Sequence, residues 1–273
     1  MMETAVIQRQ YDSVISLQYD QDPQFTTGRS LDRAIRHLDA EGLLNPDSRP
    51  LRVLDVGMGT GMFLEKLRLH SARQIAPSGL DISEQMAALA VRKLPDLVVA
   101  IDDGANLDRH FGQSEFDLVA THFVTGFVEL EKLAADVFKK LAPGGCWSFV
   151  GGTTAGYAEL QRRARHPLLR MLFGSNGVAL QGMICPESED QVTRLLSNAG
   201  FEIRVSETFE PELKFEDFSS FMEYGYHGGW LTPFIEDIGL QNASRWQQAL
   251  LNRIVFPVTD HHSIVLAVVR KPL

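Results

Sequence analysis

The chain has 273 residues, of which 44% are hydrophobic, and 26 basic against 35 acidic residues give a formal net charge of −9. A chain of this length can bury a large core, so we expect one enlarged domain over residues 1–273. The negative charge argues against a nucleic-acid surface, which normally shows a basic stripe. Two cysteines make no disulfide scaffold, no apolar run is long enough for a membrane span, and the amino terminus lacks a signal-peptide pattern. These features predict a cytoplasmic protein that acts on a small molecule.

Apolar runs and amphipathic segments alternate along the chain. This alternation predicts an α/β fold, with a doubly wound and mostly parallel seven-stranded sheet covered by helices on both faces. Ser83 is expected to cap one helix, and the clearest helix is expected over 130–141, where apolar residues recur at helical spacing. The expected strands are 52–56, 75–80, 97–101, 116–121, 146–151, 202–207 and 262–270.

Two stretches break the alternation and are longer than ordinary connections. Residues 153–187 carry a basic helical piece, and residues 209–258 are rich in aromatic side chains. We expect both to be lid or substrate insertions, although core filling explains most of the aromatic side chains better than a substrate pocket does. Residues 1–45 are expected to cover a cofactor, residues 50–152 to bind it, and residues 188–208 and 259–273 to complete the sheet.

Three glycines at alternate positions, Gly57, Gly59 and Gly61, follow the first expected strand and precede a helical segment. Glycines allow close approach of a ligand to the backbone, and a helix start presents free N–H groups to it. A Walker loop is excluded because Met62, not lysine, follows Gly61. The dinucleotide fingerprint fails as well, because it needs a glycine at position 62.

What remains is an acid at Asp55, the three glycines, and a second acid, Asp81, at the end of the next expected strand. A carboxylate there can accept hydrogen bonds from two ribose hydroxyls. A further acidic pair, Asp102 and Asp103, ends the third expected strand.

At this point the sequence resembles the class I S-adenosylmethionine-dependent methyltransferases. The resemblance runs from about residue 11 to residue 207 and includes the last strand. It is carried by VLDVGMGTG, GLDIS, DDGANL, FDLVATHFV and LAPGG, which occur in the order and spacing of that family. The nearest members are the small-molecule and quinone-biosynthesis types. The resemblance implies the Rossmann-like methyltransferase fold, S-adenosylmethionine as cofactor and no metal site.

The resemblance also assigns cofactor-binding roles. Asp55 and the three glycines would lie along the methionine and ribose portions, Asp81 would hold the ribose hydroxyls, and Ile82 would pack on the adenine. Asp103 would meet the adenine amino group, with Asp102 as the alternative. Thr121 and His122 would face the methyl-transfer point. The remaining cofactor-binding candidates are Tyr11, Tyr19, Arg29, Met86 and Gly104.

The family has no single fixed general base, so candidates come from local residues. His122, at the end of the fourth expected strand, is the first, and His227, beside Gly228 and Gly229 in the aromatic insertion, is the second. Both could instead be structural, and Glu129 and Glu223 are weaker alternatives. The arginines of the basic piece would suit an anionic or carrier-bound substrate, or simply a solvated helix face.

The expected activity is methyl transfer to a small organic acceptor, with oxygen as the favoured acceptor atom. Nitrogen or carbon methylation, and cofactor binding without methyl transfer as a sensor or for other chemistry, remain open alternatives. A nicotinamide oxidoreductase is a third hypothesis, which the glycine spacing disfavours. The identity of the acceptor and the oligomeric state lie outside what the sequence establishes.

Overall fold

The computed structural model describes residues 4–113, 115–173 and 184–273. The strands are β1 (Leu51–Val56), β2 (Ile75–Asp81), β3 (Val98–Ile101), β4 (Phe116–His122), β5 (Leu141–Gly152), β6 (Glu202–Phe209), β7 (Glu212–Phe215), β8 (Val258–His261) and β9 (Ile264–Arg270). The α-helices are α1 (Thr4–Gln10), α2 (Thr26–Ala40), α3 (Met62–His70), α4 (Glu84–Lys93), α5 (Leu130–Lys140), α6 (Ala158–Ala164), α7 (Pro167–Phe173), α8 (Glu189–Asn198), α9 (Phe218–Met222), α10 (Thr232–Asp237) and α11 (Arg245–Ile254). Short 3₁₀ segments occupy Tyr19–Gln21, Gly104–Arg109 and Leu240–Asn242, and π-helical turns occupy Tyr11–Ile15 and Glu223–His227.

The chain divides into two compact units. The core unit comprises residues 27–154, 184–209 and 264–273, and the accessory unit comprises the described part of residues 1–26, 155–183 and 210–263. The two long insertions expected from the sequence supply most of the accessory unit. Part of the first insertion, residues 174–183, lies outside the described residues.

The core unit is built on a seven-stranded sheet with the order β3-β2-β1-β4-β5-β9-β6. The pairs among β1 to β5 are parallel, whereas β9 runs antiparallel between β5 and β6. The prediction of a doubly wound, mostly parallel seven-stranded sheet is therefore confirmed. Parallel strands need crossover connections, and the intervening helices supply them.

Both faces of this sheet are covered, as the alternation predicts. Consecutive strand residues point to opposite faces, so Val53 belongs to one apolar cluster and Leu54 to the other. Helix α5 packs Leu133 and Val137 on the Leu54 side, and helix α3 packs Leu64 on the Val53 side. Burial on both faces explains why the strands are continuous apolar runs instead of alternating ones.

The helix expected over 130–141 is α5, which ends at Lys140, just before the segment Ala142-Pro143-Gly144-Gly145. Strand β5 nevertheless begins earlier than expected, because Leu141 already pairs with Phe116. The register then shifts until Cys146 pairs with Leu118, and Gly144 takes a φ of +75° in the irregular stretch. The same residues therefore both end the helix and form the irregular beginning of a strand.

The accessory unit has its own two-stranded antiparallel sheet, β7 with β8, and its own apolar cluster. Most aromatic residues of the second insertion fill this cluster. Phe215 and Tyr224 are almost completely buried, whereas Trp246 is exposed. The basic piece forms two helices, α6 and α7, and Arg162 and Arg163 of α6 both pair with Glu159. None of the described helices has the length and apolar content that a bilayer crossing requires.

Candidate functional site

The candidate site lies in the core unit, where the strand order reverses. Strand β1 lies between β2 and β4, so connections leave it toward opposite faces of the sheet. Open α/β sheets bind ligands outside the carboxyl ends of the strands at such a point. Gly57 follows β1, Asp81 ends β2, Asp102 follows β3 and His122 ends β4. The fold thus brings the principal predicted residues of the core unit to one edge of the sheet.

The glycine loop is a tight backbone turn between β1 and α3. The Gly57 and Met58 amides both donate to the Leu80 carbonyl oxygen, at 2.7 and 3.2 Å, and tie the loop to the end of β2. Gly57 has a φ of +69°, and a Cβ added there would lie 2.7 Å from Cγ2 of Val124. Gly61 has a φ of +77°, and a Cβ there would lie 3.1 Å from Cβ of Ala90 in α4. Only glycine therefore fits these two positions without strain.

Asp81 connects this loop to the next turn. Its Oδ2 accepts a hydrogen bond from the Gly59 amide at 2.8 Å, and its Oδ1 accepts one from the Ser83 amide at 2.9 Å. Two backbone donors thus fix the orientation of the carboxylate at the end of β2. Ser83 caps α4 as expected, because its Oγ accepts from the Met86 amide.

Asp55 lies beside this carboxylate in the sheet but is fully buried within β1. Burial raises the pKa of Asp55 well above its ordinary value, and the negative charge of Asp81 raises it further. Desolvation and like charge both favour the protonated carboxyl. Asp55 therefore favours the neutral form, whereas backbone donors set the orientation of the neighbouring Asp81 carboxylate.

The two acids after β3 have different surroundings. Asp102 accepts hydrogen bonds from His110 Nε2 at 2.7 Å and from Asn106 Nδ2 at 2.8 Å, and these partners lower the pKa of Asp102 to about 2. Asp103 accepts from the Ala105 amide and caps the short helix that begins at Gly104. Asp102 is thus engaged in its own turn, so we retain Asp103 as the candidate for the adenine.

Thr121 and His122 end β4 among buried side chains. The Thr121 hydroxyl accepts a hydrogen bond from Trp147 Nε1 at 2.8 Å. His122 Nε2 shares a hydrogen bond with the Ser148 hydroxyl at 3.0 Å, and its ring meets Phe63 edge-on at 4.4 Å. Within the described residues its Nδ1 is buried without a hydrogen-bond partner. Burial lowers the pKa of His122 to about 3, so its imidazole is neutral at physiological pH.

Three partners of this region were not predicted. Phe63 and Ser148 hold the His122 ring, and Phe123 has a φ of +62° directly after it. Ser148 carries a sequence signal, because it is a polar residue inside the apolar strand Cys146–Val150. Phe63 and Phe123 carry no such sequence signal, because the contact of Phe63 with His122 and the backbone angle of Phe123 follow from tertiary structure.

The remaining candidates of the core unit are distributed unevenly. Ile82 is half-buried beside Asp81, and Met86 is completely buried in α4. Arg29 is exposed on α2, with its guanidinium carbon 5.1 Å from the ring centre of Phe209 in β6. In the sheet, β6 is the fourth strand from β1. Because neighbouring strands are about 4.8 Å apart, the two strands are separated by roughly 19 Å. We therefore leave Arg29 out of the proposed cofactor site.

The other three candidates belong to the accessory unit. Tyr11 and Tyr19 are half-buried in the amino-terminal turns, and neighbouring Ile15 packs against Gly229. His227 ends a π-helical turn, with its ring centre 5.1 Å from that of Tyr226. Their assignments to cofactor binding and catalysis stay predictions.

The core-unit residues fit the cofactor that the sequence resemblance implies. The loop leaves no room for side chains at Gly57 and Gly61, helix α3 begins at Met62, and a backbone-oriented carboxylate stands at Asp81. This set matches a ligand with a sugar diol and a charged amino-acid portion.

Comparison with known proteins agrees with this assignment. Residues 53–145 match the protein family described as a methyltransferase domain. A 104-residue segment is 29% identical to the dTDP-4-amino-2,3,4,6-tetradeoxy-D-glucose N,N-dimethyltransferase of Saccharopolyspora spinosa. That segment covers 37% of this chain and 39% of the relative, well under two thirds of the relative's length.

Solved structures share the fold at low sequence identity. The YcgJ protein of Bacillus subtilis is 16% identical, with a TM-score of 0.59 over 90% of this chain and 99% of that one. Phosphoethanolamine N-methyltransferase 2 of Haemonchus contortus, solved with S-adenosylmethionine, is 16% identical, with a TM-score of 0.56 over 100% of this chain and 61% of that one. Residues 53–145 thus match a methyltransferase domain, and this match favours methyl transfer over the nicotinamide hypothesis.

Proposed function

We propose that this protein transfers a methyl group from S-adenosylmethionine to a small organic acceptor. The observation that carries the proposal is the coincidence of two findings on the same residues. The methyltransferase family match covers 53–145. Within it, the glycine loop and Asp81 lie together at the carboxyl ends of β1 and β2, where the strand order reverses.

The core unit supplies binding and alignment. Asp81 would hold the ribose hydroxyls, the backbone from Gly57 to Gly61 would lie along the amino-acid portion, and Asp103 would meet the adenine. When bound, S-adenosylmethionine supplies a sulfonium methyl whose leaving group is already activated. The protein therefore has to align the acceptor atom with that methyl and exclude water.

His122 orients the acceptor in this proposal and does not remove its proton. An imidazole with a pKa of about 3 is too weak a base to deprotonate an alcohol near neutral pH. If Nε2 donates to Ser148, the buried Nδ1 keeps an acceptor lone pair that can take a hydrogen bond from an N–H or O–H group. That contact would position a nucleophile and leave its basicity unchanged.

This chemistry favours nitrogen over the oxygen acceptor that the sequence led us to expect. A neutral amine attacks the methyl carbon with its own lone pair while the S–CH3 bond breaks and the sulfonium becomes a neutral thioether. The nitrogen becomes an ammonium group that releases its proton to water afterwards, so no base is needed before the methyl transfer. The name of the Saccharopolyspora spinosa relative, an amino-sugar N,N-dimethyltransferase, supports the same direction. We therefore propose an amine as the acceptor group, with a hydroxyl as the competing possibility.

A matched pair of acceptors tests the proposal. The protein is incubated with methyl-labelled S-adenosylmethionine and either a 4-amino-4,6-dideoxyhexose nucleotide or the same sugar nucleotide with a 4-hydroxyl group, and also with a metabolite extract. We expect label in an amine product, with much less label in the hydroxyl compound. Exclusive labelling of hydroxyl compounds would overturn the nitrogen assignment. Cofactor binding without any labelled product would instead support the second candidate, binding without transfer, which the weak basicity of His122 also permits.

A further inference from the structure

The accessory unit contains an apolar pocket that the proposed methyl transfer does not account for. It has a volume of about 490 Å³ including its open mouth. Its walls come from four helices, α6, α9, α10 and α11, together with neighbouring turns.

Aromatic and aliphatic side chains form most of the wall. The rings are those of Tyr157, Phe218, Phe221, Phe234 and Phe256. An open apolar space weakens packing, because the lining atoms lose contacts that a filled core would give them. A ligand of similar shape would restore those contacts, and ligand sites are typically such concave and mainly apolar spaces.

Hydrogen bonds behind the walls connect the segments that form the pocket. Arg163 Nη1 donates to the carbonyl oxygens of Val255 and Pro257, at 2.7 and 2.6 Å, and so joins α6 to the end of α11. The Leu160 amide donates to Asp260 Oδ2 at 2.6 Å, and the Phe218 amide donates to Asn252 Oδ1 at 2.7 Å. These bonds fix wall residues from separate helices, which is what a preformed site requires.

The polar atoms near the pocket are already engaged. The Tyr157 hydroxyl bonds to the Tyr224 hydroxyl at 3.0 Å and to His262 Nδ1 at 3.2 Å, within a buried triad. The Gln161 amide nitrogen donates to the Gly156 carbonyl at 2.9 Å. Among the described residues no charged side chain lines the pocket. A charged ligand would therefore lose its hydration there without gaining a partner.

We propose that the accessory unit binds an uncharged, ring-containing apolar small molecule, or the corresponding portion of a larger one, in this pocket. The binding follows from shape and apolar burial alone. It is independent of the methyl-transfer proposal, because every residue that carries it lies outside the methyltransferase match at 53–145.

The probe for the test is N-phenyl-1-naphthylamine, an uncharged fluorophore whose emission rises in apolar surroundings. Its matched counterpart, 1-anilinonaphthalene-8-sulfonate, has the same rings with a negative charge. We expect saturable binding of the uncharged probe, with displacement by naphthalene, and roughly tenfold weaker binding of the sulfonate. Absence of saturable binding by the uncharged probe, or equal binding of both probes, would overturn the proposal.

Two glutamines provide a matched pair of variants for locating the site. Gln161 in α6 lines the pocket, whereas Gln248 in α11 does not, and each is half-buried and donates to a carbonyl five residues earlier. Gln161→Phe should fill the pocket and weaken probe binding roughly tenfold, while Gln248→Phe should change it by less than about twofold. Circular dichroism and cooperative thermal unfolding establish that each variant is folded.

Equal effects of the two substitutions in folded proteins would mean that the probe binds elsewhere, and the proposal would fall. If Gln161→Phe does not fold, Ala164→Val replaces it, because Ala164 also lines the pocket and the enlargement is small. Unchanged probe affinity in folded Ala164→Val would then contradict the proposal.

Discussion

Replacing Gly57 by alanine is the sharpest structural test of the glycine loop. The φ of +69° costs a residue with a Cβ about 1–2 kcal/mol. The new Cβ would also lie 2.7 Å from Cγ2 of buried, β-branched Val124, and such overpacking costs a further ~1–3 kcal/mol. Gly57→Ala should therefore lower the free energy of unfolding by about 2–5 kcal/mol.

Gly144→Ala is the matched control in the same unit. Its φ of +75° is similar, but the new Cβ would approach only the exposed, movable side chain of Leu273, at 3.1 Å. In urea unfolding, the free energy of unfolding of this variant should fall by only about 1–2 kcal/mol, the cost of the positive φ without overpacking. A double-mutant cycle between Gly57→Ala and Val124→Ala should return a coupling of about 1–3 kcal/mol. Equal losses in the two glycine variants, with no coupling to Val124, would refute the reasoning.

Three further predictions concern buried ionisable groups. Burial lowers the pKa of His262, like that of His122, from 6.5 to about 3. Stability therefore does not depend on either histidine above pH 6.5, the pKa in the unfolded chain. Below pH 6.5 each histidine destabilises the fold, because the unfolded chain binds the proton more readily. Each of the two histidines should lower the free energy of unfolding by about 2 kcal/mol at pH 5 relative to neutral pH. In urea unfolding at these two pH values, the loss of stability should be about 2 kcal/mol smaller in His262→Gln than in the wild-type protein. Burial raises the pKa of Asp55 well above 3.8, so its contribution to the free energy of unfolding declines as the pH rises from 3.8 through the folded pKa. Asp55→Asn should flatten that decline in urea unfolding, and an unchanged pH dependence above pH 3.8 would contradict the prediction. His122→Gln should lower turnover roughly tenfold while calorimetry finds cofactor affinity within about twofold, because the ring orients the acceptor and not the cofactor.

Much of the core unit was predictable because local pattern and tertiary position agree there. Strands buried on both faces are continuous apolar runs, and alternate glycines after the first run mark a turn that only glycine can make. The position of Asp81 was predictable for the same reason, since it ends the apolar run that forms β2. Its role in binding the ribose stays a prediction. These inferences need only the order of elements along the chain.

The accessory unit was less accessible to sequence analysis, because its contacts join distant segments. Tyr157, Tyr224 and His262 form one buried triad although 105 residues separate the first from the last. His262 was assigned to the last strand by its apolar neighbours, but that strand begins at Ile264. No periodic pattern indicates that three segments of the chain combine into a second compact unit.

The role of His122 also depended on the structure. Its position at the end of a strand is visible in the sequence and indicates a catalytic base. Its burial against Phe63 and its bond to Ser148 are tertiary facts, and burial lowers its pKa to about 3. The same residue therefore changes from a candidate base to a candidate orienting group.

The most direct test of the central claim is calorimetric titration with S-adenosylmethionine and S-adenosylhomocysteine. The wild-type protein should bind both at a single site. Asp81→Asn should weaken binding at least about tenfold, because it removes a charged acceptor that also orients the Gly59 and Ser83 amides. Asp96→Asn, an exposed aspartate in the same unit that pairs with Arg68, should bind like wild type. Absence of binding to the folded wild-type protein, or unchanged affinity in Asp81→Asn, would contradict the account.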